Sequence, residues 1–176
     1  MQIAVWQIVV ITLLAFIYRV DRLGTQVCGH NAVLYAWLVG LILGDGMTGL
    51  IVGASVQLMS LGVAALAGSS VPDYPLAGMV GTAVCIMTGQ DEGVGLAVGI
   101  AVGTMGVQLD VLAKTANVFM AHKQLEYAQD GQYEKMKAVT LVGPVLFGLT
   151  DAIPMLIVLA FGGANVQEQL LAADGI

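Results

Sequence analysis

Residues 40–62 read GLILGDGMTGLIVGASVQLMSLG. This apolar stretch is interrupted by one carboxylate, Asp45, set between Gly44 and Gly46, and by one amide, Gln57, in the run that follows. A carboxylate at bilayer depth is costly and usually belongs to a substrate or ion pathway. Flanking glycines let the backbone turn sharply or let a ligand come close. Broken helices persist in hydrocarbon only where they line a cavity or are buried in protein. Near the bilayer midplane they hold polar substrates. The stretch predicts an all-α fold: a polytopic transmembrane helical bundle with re-entrant or broken helices.

The rest of the chain has the same character. It is 58% hydrophobic and 10% charged, with a mean hydropathy of +0.88, against about 25% charged residues in soluble domains. The net charge of −6 is scattered in ones and twos, so no acidic tail or basic patch exists and nucleic acid is excluded as a partner. Cys28 and Cys85 match no ligand spacing and read as small buried hydrophobes. Residues 1–18 lack a basic leader and an Ala-x-Ala site, so they read as a retained anchor helix.

Six apolar blocks follow one another: Ile3–Tyr18, Ala32–Gly44, Met47–Gly68, Leu76–Thr88, Val94–Ala121 and Ala138–Gly162. A span takes about 20 residues, so Ala32–Gly44 and Leu76–Thr88 are short enough to be re-entrant or half-helical. The fifth block, about 42 Å as a helix, must tilt or protrude. Gly95, Gly99 and Gly103 recur every fourth residue, giving one smooth face for close helix packing. The polar gaps at Arg19–Asn31 and His122–Lys137 carry two arginines and three lysines. The positive-inside rule places both in the cytoplasm, with the amino terminus and acidic tail outside. Residues 1–162 thus form the membrane-embedded region and 163–176 a short amphipathic tail. Such an ending reads as a short form, a truncation, or part of something longer.

No catalytic constellation and no metal-ligand spacing occurs, and neither enzymatic phosphoryl chemistry nor a cofactor is expected. The candidates are polar residues in or beside apolar blocks. Asp45 either binds substrate or caps a half-helix. Gln57 either hydrogen-bonds sugar hydroxyls, having donor and acceptor, or bonds between helices; Gln108 has the same two readings. Asp73, in Val71-Pro72-Asp73-Tyr74-Pro75, is a ligand or a surface turn. His30 is a ligand or an interfacial residue. Asp110 and Lys114 stand at the spacing of a helical ion pair, and Asp151, three residues before Pro154, marks a helix break.

The run Leu38-Val39-Gly40-Leu41-Ile42-Leu43-Gly44-Asp45, then Thr48-Gly49, Gly53 and Leu58 to Leu61-Gly62, resembles the amino-terminal half of enzyme IIC of the mannose/fructose/sorbose phosphotransferase system. His30, Pro72-Asp73, Gly106-Val107-Gln108 and Lys114-Thr115 fall where that family's motifs would. The resemblance covers roughly residues 1–160. It implies an all-helical sugar permease of the bacterial inner membrane, with re-entrant hairpins and an elevator-like moving core. A membrane IID subunit and cytoplasmic IIA and IIB phosphocarriers would be its partners, within an oligomer. It implies substrate contacts at Gln57, Asp45, Asp73, Gln108 and His30. Position 57 is often glutamate in that pattern and is glutamine here, and family members are considerably longer. The sequence is therefore read as a permease subunit for a hexose or amino sugar. The alternatives are a small-solute or ion channel not coupled to phosphorylation, and a structural membrane subunit.

Overall fold

The computed structural model describes residues 3–63 and 71–173, with side chains as far as Phe161. Among these residues the chain forms six helices and no strand: α1 (Val5–Leu23), α2 (Ala32–Leu43), α3 (Gly46–Ser60), α4 (Tyr74–Thr88), α5 (Glu92–Gln129) and α6 (Tyr133–Ala173). The apolar blocks and the helices correspond one to one. Their ends differ where good helix formers extend a helix past its apolar run. α1 continues five residues beyond Tyr18, taking Arg19 and Arg22 into the helix. α5 and α6 absorb most of the polar segment 122–137, leaving a tight turn at Asp130–Gln132.

Helix lengths divide the molecule. α5 and the Tyr133–Phe161 part of α6 are long and apolar enough to cross a bilayer. As a 38-residue helix α5 measures about 57 Å. By contrast α2, α3 and α4 have 12, 15 and 15 residues, or about 18–22 Å, short of the roughly 30 Å hydrocarbon core. The block Met47–Gly68 is thus helical only to Ser60 in the described part. α2 and α3 pair as an antiparallel hairpin that turns at Gly44, whose φ of +96° favours glycine. Ala36 packs on Gly49, and Ala32 on Gly53. A Cβ on Gly49 would stand 2.6 Å from the Ala36 carbonyl oxygen, so only glycine admits this approach.

α4 is the central element, with nearly every residue buried. It contacts α2, α3, α5 and α6. Gly95, Gly99 and Gly103 turn their shared face onto it, as the spacing predicts. A Cβ at Gly99 would lie 2.2 Å from the Ala77 carbonyl oxygen, and one at Gly103 2.8 Å from the Asp73 carbonyl oxygen. The main core joins α1, α2, α4 and α6 through Ile11, Tyr18, Val39, Met79, Val80 and Met155.

The helix break expected around Asp151 does not occur. α6 runs unbroken through Pro144 and Pro154. Thr150 Oγ1 donates to the Phe147 carbonyl at 2.6 Å.

Candidate functional site

The α2–α3 hairpin carries polar residues at both ends. At its tip Asp45 is the N-cap of α3: Oδ1 accepts from the Met47 and Thr48 amides at 3.1 Å each, and Oδ2 from the Thr48 hydroxyl at 2.6 Å. The carboxylate thus satisfies amides that the helix start leaves unpaired. The tip of the α4–α5 connection lies alongside. Together they line a cavity of about 560 Å³ with Asp45, Thr48, Cys85, Gln90, Asp91 and Glu92. Gln7 fastens α1 here, donating from Nε2 to the Ile42 carbonyl at 2.7 Å.

Gln57 sits at the other end, twelve positions along α3, about 18 Å of helix from Asp45. Its Oε1 accepts from the Ala32 amide at 2.7 Å, and its Nε2 donates to Ser60 Oγ at 3.1 Å. It therefore makes an interhelical bond that caps the first turn of α2, beside the cap Asn31 gives the Leu34 amide at 3.1 Å. Two adjoining clefts share His30 and Gln57. The larger, about 790 Å³, adds Gln26, Asn31 and Trp37. The smaller, about 240 Å³, adds Arg22, Ser60, Pro72 and Tyr74. Amides, an imidazole and a half-buried indole on an apolar wall match the composition of small-ligand pockets.

Asp73 does not occupy a surface turn. It is 4% exposed and caps α4 by accepting from the Leu76 amide at 3.1 Å. Its oxygens also take the Tyr18 hydroxyl at 2.8 Å, Arg19 Nη1 at 2.8 Å, and Arg22 Nη1. Arg19, equally buried, reaches Asp110 through Nη2 and stands 3.8 Å from Asp151. Asp110 also pairs with Lys114 at 2.7 Å, at the predicted i,i+4 spacing. This cluster ties α1, α4, α5 and α6 together. Four donors on one carboxylate leave Asp73 no capacity for a ligand. Gln108 is exposed on α5.

The structure therefore brings His30 and Gln57 together, and separates them from Asp45 at the tip and Asp73 in the ion cluster. Sequence reasoning missed Tyr18, Arg19, Arg22 and Gln7. Arg19 and Arg22 were assigned to a polar gap because the apolar run stops at Tyr18. A signal was available: Tyr18 and Arg22 stand four apart, one helical turn in register with the run before them.

A helical membrane-protein bundle with a re-entrant hairpin capped at both ends is the class of architecture defined here. The chain belongs to the family described as the PTS system sorbose-specific IIC component, whose model matches residues 5–174. It is similar to the fructose permease IIC component of Bacillus subtilis (strain 168), with 30% identity over 93% of this chain and 61% of that protein. It is similar also to the mannose-specific EIIC component of Escherichia coli (strain K12), with 29% identity over 98% of this chain and 65% of that protein. Among solved structures, the mannose transporter ManYZ, determined in complex with a microcin, superposes with a TM-score of 0.86 at 28% identity, covering 98% of this chain and 70% of that one. The chain thus spans less than two-thirds of the length of these two curated relatives.

Proposed function

We propose that this chain is the sugar-conducting membrane subunit of a phosphotransferase complex, a multi-pass protein of the bacterial inner membrane. It takes in a sugar of hexose size, while IIA and IIB phosphocarriers supply the phosphoryl group and a IID subunit completes the membrane part. Family membership supports the system. The observation that carries the site is the pair of clefts sharing His30 and Gln57 at the open end of a re-entrant hairpin. Gln57 acts there as a helix cap that also faces the ligand. Asp45 acts as the cap of α3 at the hairpin tip, and Asp73 as the cap of α4 within the ion cluster.

The chemistry required of such a subunit is recognition and passage. A sugar hydroxyl needs both donors and acceptors, and Gln57, His30 and Asn31 offer both, with Trp37 as an apolar platform. The test is uptake of labelled sugars into cells carrying the complete partner set, with membrane expression monitored. Gln57→Ala removes a polar partner and uncaps the Ala32 amide. An unpaired buried group costs about 1–3 kcal/mol, so transport affinity should fall roughly 5- to 150-fold. Unchanged uptake of every sugar would remove Gln57 from the site. Uptake without stoichiometric sugar phosphorylation would contradict the phosphotransferase reading.

A further inference from the structure

We propose that the cleft at His30 and Gln57 takes a sugar bearing an oxyanion, carboxylate or phosphoryl, and that Arg22 recognises it. The inference rests on the sugar-conducting reading above and specifies its ligand.

The first observation is the sign of the lining. The smaller cleft is lined by Arg22 and His30 with the neutral Gln57 and Ser60, and the larger by His30 with neutral amides and apolar side chains. Among the described residues no aspartate or glutamate lines either. The tip cavity of the same hairpin is the opposite, with Asp45, Asp91 and Glu92. A neutral or cationic sugar is usually gripped by acceptors for its hydroxyl or ammonium hydrogens. This cleft instead offers a guanidinium and an imidazole.

The second observation is how Arg22 is held. Nη1 alone is committed, to Asp73 and to the Tyr18 hydroxyl. Among the described residues no acceptor engages Nε or Nη2. A guanidinium has five donors in a planar fork, and one fixed at a single nitrogen pays little further entropy to bind with the rest. Asp73 pairs with both arginines through Oδ2, and Nε and Nη2 of Arg22 lie outside that pair. Arg22 is therefore the one member of the buried cluster that also lines the cleft.

The probe is Trp37, which lines the larger cleft. The chain has two tryptophans, so Trp6→Phe leaves Trp37 as the sole reporter. The full chain in phosphatidylcholine nanodiscs is titrated with glucose, glucuronate and glucose 6-phosphate, and binding is checked by equilibrium dialysis with the labelled compounds. Charge-assisted bonds exceed neutral ones enough that at least one anionic sugar should bind about tenfold more tightly than glucose. Preference for glucuronate alone identifies a sugar acid as cargo; preference for the phosphate identifies the phosphorylated product. Arg22→Gln should abolish the preference and Arg22→Lys should retain part of it. If Arg22→Gln fails to fold, raising the salt on the unsubstituted protein decides, because the preference should shrink as charges are screened. Equal affinity for all three sugars, or a preference that survives in folded Arg22→Gln or at high salt, overturns this inference and leaves the transport reading standing. Binding of none of the three overturns this inference, and the uptake assay with the complete partner set decides the transport reading separately.

Discussion

Removing the Asp73 carboxylate is the most informative single change in this molecule. The side chain accepts four hydrogen bonds, from Tyr18, Arg19, Arg22 and the Leu76 amide, and is 4% exposed. In Asp73→Ala, Arg19 keeps Asp110, but Arg22 loses its described carboxylate and α4 loses its cap. Breaking a buried pair from one side costs about 3–5 kcal/mol, because a charge is left uncompensated. The lost cap, about 1 kcal/mol alone, acts at the same atoms and is contained in that range rather than added to it. Asp73→Asn keeps one acceptor oxygen but turns the other into a donor and loses the charge, so it should fall between Ala and the parent. The assay is unfolding of the purified full chain from mixed micelles with increasing sodium dodecyl sulfate, followed by tryptophan emission. Adding Arg22→Met to Asp73→Ala removes the stranded cation, and residues sharing one network couple by about 0.5–3 kcal/mol. The double variant should therefore be no less stable than Asp73→Ala. A loss under about 1 kcal/mol for Asp73→Ala, the level of an exposed pair, would refute the view that this cluster holds α1 to α4.

Three further outcomes are expected. Gly99→Leu puts a side chain where a Cβ already meets the Ala77 carbonyl oxygen at 2.2 Å; overpacking of about 1–3 kcal/mol should lower the thermal midpoint in detergent, and an unchanged midpoint would mean the helices can separate freely. Asp45→Ala should destabilise the start of α3 by about 0.5–2 kcal/mol and Asp45→Asn by less, read as hydrogen-exchange protection at Met47 and Thr48; if Asn retains protection yet abolishes uptake, Asp45 touches the sugar. A single cysteine at Lys123, in a chain lacking Cys28 and Cys85, should resist an impermeant thiol reagent outside intact cells and react after permeabilisation; labelling from outside would reverse the proposed orientation.

The architecture was legible to the extent that bilayer physics writes it into composition. Block lengths marked α2 and α4 as short but not α3, which ends at Ser60 inside a longer apolar block, and the four-residue glycine repeat marked the packing face of α5 without naming α4 as its partner. The Asp45 cap was one of two readings, since an aspartate before a glycine and a threonine has amides to accept from whether or not a ligand is near. Tertiary pairing was not legible. Asp73 looked like a turn because it stands between two prolines, and its burial depends on arginines 54 and 51 residues away. Hydropathy cannot report such a pair, because it scores Arg19 as a break in the membrane segment rather than as half of a neutral couple. The separation of Asp45 from Gln57 needed only the helical rise, whereas the joining of Gln57 to His30 needed the hairpin to fold back.

The ion cluster also constrains the order in which the molecule can be made. Arg19 leaves the ribosome long before its partners: Asp73 follows by 54 residues and Asp110 by 91. At about 5–20 residues per second, the wait for Asp110 is roughly 5–18 s. During it α1 carries two guanidinium groups with no described carboxylate yet made to receive them, each unfavourable by about 2.5–3.5 kcal/mol at the centre of a bilayer. Long basic side chains near a helix end can reach the headgroups in the meantime. In the folded chain both guanidinium groups meet Asp73 at the head of α4, so the final seat of α1 depends on a residue made after it.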